Sequence, residues 1–305
     1  MVMNFQLALS AFEPSIQGLQ NLIQLSLDVS SSSPARFLFC SSISTALGTP
    51  SPARIPEAPI EDLEQVSLIG YAQSKLVSER IVQAAVAESG ANATILRIGQ
   101  VVGDTKWGVW NDNEALPLII RSAMTMDILP QLDMACSWLP VDTFSASVLQ
   151  IAGLATGAVS LTNELHKTSP RLVYNIVSPR TFSWNSSLLP ALSSACLSFR
   201  PVSPEIWMHQ LRLFSSIQSK SGDSDITVNE AASDPTQNPA VKLVEFFEEN
   251  FLTDGEEGEG GTGVVFETEE AEKMASALRE APLVVESGLL GKMVGVWLEK
   301  WKVRV

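Results

Sequence analysis

Arg36-Phe37-Leu38-Phe39-Cys40 is a short, unbroken apolar run that ends on the pair Ser41-Ser42. Its length and lack of alternation read as a strand covered on both faces, as in the middle of a parallel sheet. Further on, Val77, Ile81, Ala84 and Ala85 share one face of a predicted helix over 70–88, which Gly90 stops. Ala93-Thr94-Ile95-Leu96-Arg97-Ile98 then supplies a second buried strand. Strand, helix, strand is a βαβ unit, and it predicts an α/β chain with a doubly wound, Rossmann-like parallel sheet.

Outside this unit the pattern continues in both directions. Ile16, Leu19, Leu22 and Ile23 recur at helical spacing over 15–27, and Ser30-Ser31-Ser32-Ser33-Pro34 breaks that helix. After Val102 the pattern is irregular as far as Pro130, with Trp107 and Trp110 close together. A helix is predicted after Asp142, through Phe144, Val148 and Ile151, and a strand over 171–177. Residues 253–263 are acidic and glycine-rich and are expected to form a mobile linker. Leu290, Met293, Val294, Trp297, Leu298 and Trp301 form a stripe expected to dock on the core.

Composition narrows the classes of function. The 305 residues, 45% hydrophobic and 18% charged, suit a globular chain with a substantial core. A formal net charge of -14, with no cluster of Lys and Arg, argues against nucleic acid or an anionic membrane as partner. No apolar run of about 18 residues, the length a span needs, is present. Met1-Val2-Met3-Asn4-Phe5 lacks the basic start and apolar stretch of a secretory signal. Cys40, Cys136 and Cys196 suit neither a disulfide framework nor a metal site and are expected to be small buried hydrophobes in a reducing compartment. His166 and His209 sit in polar settings without Cys or acidic ligands spaced around them as in a metal site, so neither zinc nor a Ser-His-Asp triad is expected.

The chemistry centres on Tyr71-Ala72-Gln73-Ser74-Lys75. A spacing of four puts a phenol and an ammonium on one helix face, a single turn apart. The lysine charge is expected to stabilise tyrosinate and lower the tyrosine pKa. Alone, this spacing is a weak signal. Ser41-Ser42 strengthens it, because open α/β sheets place ligands at the C-terminal ends of their strands. There the Ser42 hydroxyl can hydrogen-bond a carbonyl and pair with Tyr71. Read separately, Ser42 would be a turn cap, Tyr71 a half-buried aromatic and Lys75 a solvated charge.

With Ser42, the Tyr71–Lys75 motif and the strand after it, the chain resembles an extended short-chain dehydrogenase/reductase. Phe39-Cys40-Ser41-Ser42-Ile43-Ser44, Leu96-Arg97-Ile98-Gly99-Gln100-Val101-Val102-Gly103, Gly108-Val109-Trp110-Asn111 and Trp138-Leu139-Pro140-Val141-Asp142 narrow the likeness. They are similar to the terminal thioester reductase domains of fungal nonribosomal peptide synthetase-like and adenylate-forming reductase enzymes. The resemblance implies reduction of an acyl thioester held on a carrier's phosphopantetheine arm, giving an aldehyde or, after a second hydride, an alcohol. It implies Ser42, Tyr71 and Lys75 as catalytic residues. Tyr71 and Lys75, with backbone around Ile98, Gly99 and Gln100, would also bind the nicotinamide. It implies NADPH, with NADH left open, because the family's ribose 2′-phosphate reader has no counterpart here. Residues 1–160 would be the catalytic Rossmann half and 161–305 a substrate- and carrier-facing region, in a cytoplasmic protein.

The family opens with a strand and a glycine-rich turn that set the pyrophosphate on a helix N-terminus. Nothing before Phe37 contains that turn. Gly255-Glu256-Glu257-Gly258-Glu259-Gly260-Gly261 has its formal spacing but follows no strand, and its glutamates would repel a pyrophosphate. The chain is therefore expected to be an N-terminally truncated member. Two alternatives stand beside that reading: a non-catalytic remnant or carrier-docking module, and another extended short-chain enzyme such as a sugar-nucleotide epimerase or dehydratase.

Overall fold

Residues 7–29, 34–154, 171–220, 240, 241, 244 and 263–302 are described by the structure, a computed structural model. The acidic stretch 253–262, with its formal glycine motif, and His166 lie outside the described residues. Two compact units share the chain. The first draws on Met1–Val101, Ser137–Arg180 and Gly263–Ala281, the second on Val102–Cys136, Thr181–Thr262 and Pro282–Val305.

The first unit is built on three parallel strands in the order β1 (Phe37–Ser42), β2 (Ala93–Ile98), β3 (Val173–Ile176). Successive side chains along a strand point to opposite faces, so each strand feeds two layers. On one face Phe37, Phe39, Ala93, Ile95 and Val173 pack with helices α1 (Glu13–Leu27) and α2 (Gly70–Ser89). On the other, Leu38, Leu96, Ile98, Tyr174 and Ile176 pack with α3 (Val141–Ile151), α4 (Glu269–Met274) and α5 (Ser276–Arg279). Helices on both faces of a parallel sheet make this the α/β, doubly wound arrangement the βαβ pattern predicts.

Three details differ from the sequence reading. The strand read as central, β1, is at the edge of the sheet among the described residues, with Phe37, Leu38 and Phe39 only half-buried; β2 is the central strand. An apolar run reports that both faces are covered but not which neighbour lies alongside. On α2, Ile81 and Ala85 of the predicted face pack against the core beside the buried Ala72, Leu76, Glu79 and Val82, whereas Val77 and Ala84 line a shallow apolar groove with Leu63 and Val66. Finally, Cys136 is buried but Cys40 and Cys196 are exposed, and all three are free thiols.

Glu57 pins the sheet to the α4 side of this unit. Its carboxylate accepts the backbone N–H groups of Asn175 at 3.2 Å, Glu270 at 2.6 Å and Ala271 at 3.0 Å. Those donors favour the ionised form, yet burial dominates and pushes the carboxyl up to about 7. A folded-state value above the unfolded one contributes stability below the ordinary carboxylate range, and that contribution is lost as pH rises through about 7. We expect the melting temperature to fall between pH 6 and pH 8, and the Glu57→Gln variant, measured alongside, to lose that part of the slope.

In the second unit, the loop from Asp104 to Asp112 is a socket for the last helix, α6 (Leu289–Lys302). The Asp104 carboxylate accepts the N–H groups of Trp107 at 2.6 Å, Lys106 at 3.0 Å and Val109 at 3.0 Å, which holds its pKa below the usual value. Lys292 then donates to the Thr105 carbonyl at 2.9 Å, Trp297 to the Trp110 carbonyl at 3.3 Å, and Trp301 to Asp112 at 3.1 Å. The Trp110, Trp297 and Trp301 rings follow one another at 5.5 Å between centroids. The predicted apolar stripe of this helix is thus buried as expected.

Gly108 makes the fit between loop and helix. Its φ is +71°, and an added Cβ would lie 2.8 Å from the Met293 nitrogen. Gly90 has φ +67° but open space around it. Both changes to Ala incur left-handed strain of about 1 kcal/mol, and only Gly108→Ala adds a clash with backbone. Gly108→Ala is therefore expected to lower the melting temperature more than Gly90→Ala.

Candidate active site

The site lies in the first unit, where the C-terminal end of β1 meets the N-terminal turn of α2. Gly70 opens that helix because the chain at Leu7 passes directly over it; an added Cβ would lie 2.0 Å from the Leu7 carbonyl oxygen. The same segment sets Phe12 edge-on to Tyr71, with ring centroids 6.3 Å apart. Tyr71 is thereby held half-buried at the first turn.

Ser42 ends β1 and caps the short turn that follows. Its hydroxyl oxygen accepts the Ser44 N–H at 3.2 Å and the Ser44 hydroxyl at 3.0 Å. It is also hydrogen-bonded to the Tyr71 hydroxyl. The capping role and the contact with the phenol therefore coexist in one residue. Lys75, one helical turn on, donates from Nζ to the Cys40 carbonyl at 2.8 Å. Its ammonium lies 5.1 Å from the Phe39 ring centroid and 5.7 Å from that of Tyr71.

Electrostatics reverse one expectation. Burial raises the Tyr71 pKa above its ordinary value, outweighing the Ser42 hydrogen bond that acts in the opposite direction. Burial likewise lowers that of Lys75. Removing water from the phenol and the ammonium penalises the charged form of each, so Tyr71 is held as an acid rather than as tyrosinate.

Ile98, Gly99 and Gln100 follow at the end of β2. The Ile98 side chain packs into the core, and the Gly99 N–H donates to the Ile176 carbonyl at 3.1 Å. A Cβ on Gly99 would meet the Val177 side chain at 2.7 Å, so this glycine is required for close approach of the neighbouring strand end. The Gln100 amide donates to the Val101 carbonyl at 2.8 Å. Among the described residues no group of His, Cys, Asp and Glu could hold a metal, and no helix is long and apolar enough to cross a membrane.

A second, buried layer that no motif marks lies behind these residues. Glu79 and Arg97 form an ion pair at 2.8 Å with both side chains fully buried, and Ser41 donates to Glu79 at 2.6 Å. An arginine inside an otherwise apolar strand was the available signal, since a buried charge demands a partner.

Residues 3–148 match the family model described as Male sterility protein, an NAD-binding domain. Over that stretch the chain is similar to this NAD-binding family. Among curated proteins the chain is 31% identical to the adenylate-forming reductase Nps11 of Serpula lacrymans over 98% of its length, which is 26% of that protein. The chain therefore spans about a quarter of the length of this relative. Among solved structures it resembles the terminal R domain from the myxalamid PKS-NRPS pathway. That likeness has a TM-score of 0.73 at 19% identity and covers 98% of this chain and 66% of the other. A thiolation-reductase di-domain from an archaeal non-ribosomal peptide synthetase matches with a TM-score of 0.60 at 16% identity, covering 94% of this chain and 52% of that one. These structural likenesses show the Rossmann-like fold.

Proposed function

We propose that this chain carries the catalytic centre for reducing a carrier-bound acyl thioester, with Ser42, Tyr71 and Lys75 acting on the carbonyl. The observation that carries the reading is the Ser42–Tyr71 hydrogen bond at a strand end, with the Lys75 ammonium 5.7 Å from the phenol ring. Reduction requires an acid, because hydride addition turns the carbonyl oxygen into an alkoxide that must be protonated. A tyrosine whose burial keeps it protonated is that acid.

Lys75 suits a nicotinamide cofactor. Among the described residues it pairs with no carboxylate, and the Cys40 carbonyl occupies one of its three donors, leaving others for ribose hydroxyls. Ile98, Gly99 and Gln100 would border the nicotinamide with backbone atoms. The cofactor, NADPH by the family likeness, supplies the hydride. Ser42 donates a hydrogen bond to the carbonyl oxygen, Tyr71 delivers its proton there, and the Lys75 charge stabilises the phenolate left behind. The resulting hemithioacetal breaks its carbon–sulfur bond, releasing an aldehyde and the thiol of the phosphopantetheine arm. A carrier domain is accordingly the partner, and three free thiols suit a cytoplasmic setting.

The test titrates the purified chain with NADPH, and separately NADH, by cofactor fluorescence, then adds an acyl-pantetheine thioester. Saturable binding below about 1 mM, with thiol release matching cofactor consumption, is expected. No binding at millimolar cofactor would remove the reductase reading for this polypeptide and leave a carrier-docking module.

A further inference from the structure

Helix α2 carries more of the site than Tyr71 and Lys75. Positions 71, 75 and 79 are spaced by four, so Glu79 lies one turn beyond Lys75 on the same side of the helix. Its carboxylate gathers donors from two other elements. Arg97 of β2 donates from Nε at 3.0 Å and Nη2 at 2.8 Å and Ser41 of β1 at 2.6 Å, while the Thr45 hydroxyl beside them donates to the Ser42 carbonyl at 2.8 Å. Thus one carboxylate ties the helix bearing Tyr71 to the strand end bearing Ser42, through the residue adjacent to Ser42.

Stability alone does not explain this arrangement. A fully buried ion pair gains little over well-packed apolar side chains, because the cost of desolvating both charges cancels much of their attraction. Here the pair is also incompletely satisfied, since the buried Arg97 Nη1 has no hydrogen-bond partner among the described residues. What a bidentate, hydroxyl-bonded carboxylate gives that leucine or methionine cannot is direction: it fixes the distance and the rotation between helix and strand.

We infer that Glu79 is a positioning residue, holding Ser41 and Arg97 so that Ser42 meets the Tyr71 hydroxyl. The inference rests on the Ser42–Tyr71–Lys75 reading of the site, but it can be read without catalysis. Tyr71 and Tyr174 are the only two tyrosines in the chain. In a Tyr174→Phe background, absorbance titration therefore follows Tyr71 alone. The pair change Glu79→Gln with Arg97→Met removes one charge of each sign, which keeps the local net charge while releasing the tether. It is expected to move Tyr71 ionisation about one to two pH units higher, the amount one lost hydrogen bond to the charged phenolate corresponds to.

Ser41→Ala, which removes a hydroxyl and no charge, is expected to shift it less in the same direction, and it decides the matter if the double variant does not fold. An unchanged Tyr71 titration in a folded variant overturns the positioning role. In the thioester assay the tether variants should lose about tenfold or more in kcat with KM within about twofold. Glu79→Asp should fail to restore turnover, because the shorter arm cannot reach both strands; full turnover in Glu79→Asp or in the pair variant also overturns it. If the unaltered chain reduces no thioester, the proposed activity falls while the tyrosine titration still decides the positioning role.

Discussion

Changing Tyr71 to Phe is expected to lower the turnover of thioester reduction by about 10³-fold, within the range spanned by a positioned general acid. The ring stays, so the edge contact with Phe12 at 6.3 Å and the packing at the helix start survive, and only the proton and its oxygen are lost. Cofactor affinity should change by no more than about threefold, since Lys75 keeps its anchor on the Cys40 carbonyl. Stopped-flow consumption of NADPH, with fluorescence titration of binding, separates the two quantities. Retained turnover would refute the acid role assigned to Tyr71. Equal loss of binding and turnover would instead make the phenol a cofactor contact only.

The second large effect concerns stability. Changing Arg97 alone to Leu strands the Glu79 carboxylate in the interior, where neither side chain of the pair has any exposure. Breaking one partner of such a pair costs about 3–5 kcal/mol, because the remaining charge is desolvated without compensation. A similar change at Arg54, which pairs with Glu267 at 3.0 Å while the two side chains are 63% and 34% exposed, should cost about 1 kcal/mol or less. Urea unfolding of the two variants beside the unaltered chain gives the comparison. Near-equal losses would show that water reaches the Glu79–Arg97 pair.

Much of the fold was legible because its signals are local. The apolar strands at Phe37 and Ala93, the intervening helix that stops at Gly90 and the late strand at Val173 are visible as short-range patterns of burial and breaking. The order of those strands was not legible: β1 reads as central and, among the described residues, lies at an edge. The relation of Tyr71 to Lys75 could be read because four residues are one helical turn. The site's buried support could not, since Glu79 reaches Arg97 across 18 residues of sequence and Ser41 across 38.

The Gly108-Val109-Trp110-Asn111 stretch shows the same division. Its letters marked the family likeness, but its physical task, seating helix α6, depends on contacts nearly two hundred residues away, such as the Trp110 carbonyl with Trp297. The raised pKa of Tyr71 is likewise a tertiary property. The neighbouring lysine suggested a lowered pKa, and burial, which no spacing records, raises it instead. The sequence by itself determined the βαβ unit, the likeness to the family and the spacing that makes Tyr71 and Lys75 candidates for the chemistry, because periodicity and motif spacing act over one or two helical turns. Only the tertiary structure decided which strand lies at the edge, how Ser42 is held against Tyr71 and which way their protons are biased, because desolvation and long-range hydrogen bonds exist only once distant segments are packed together.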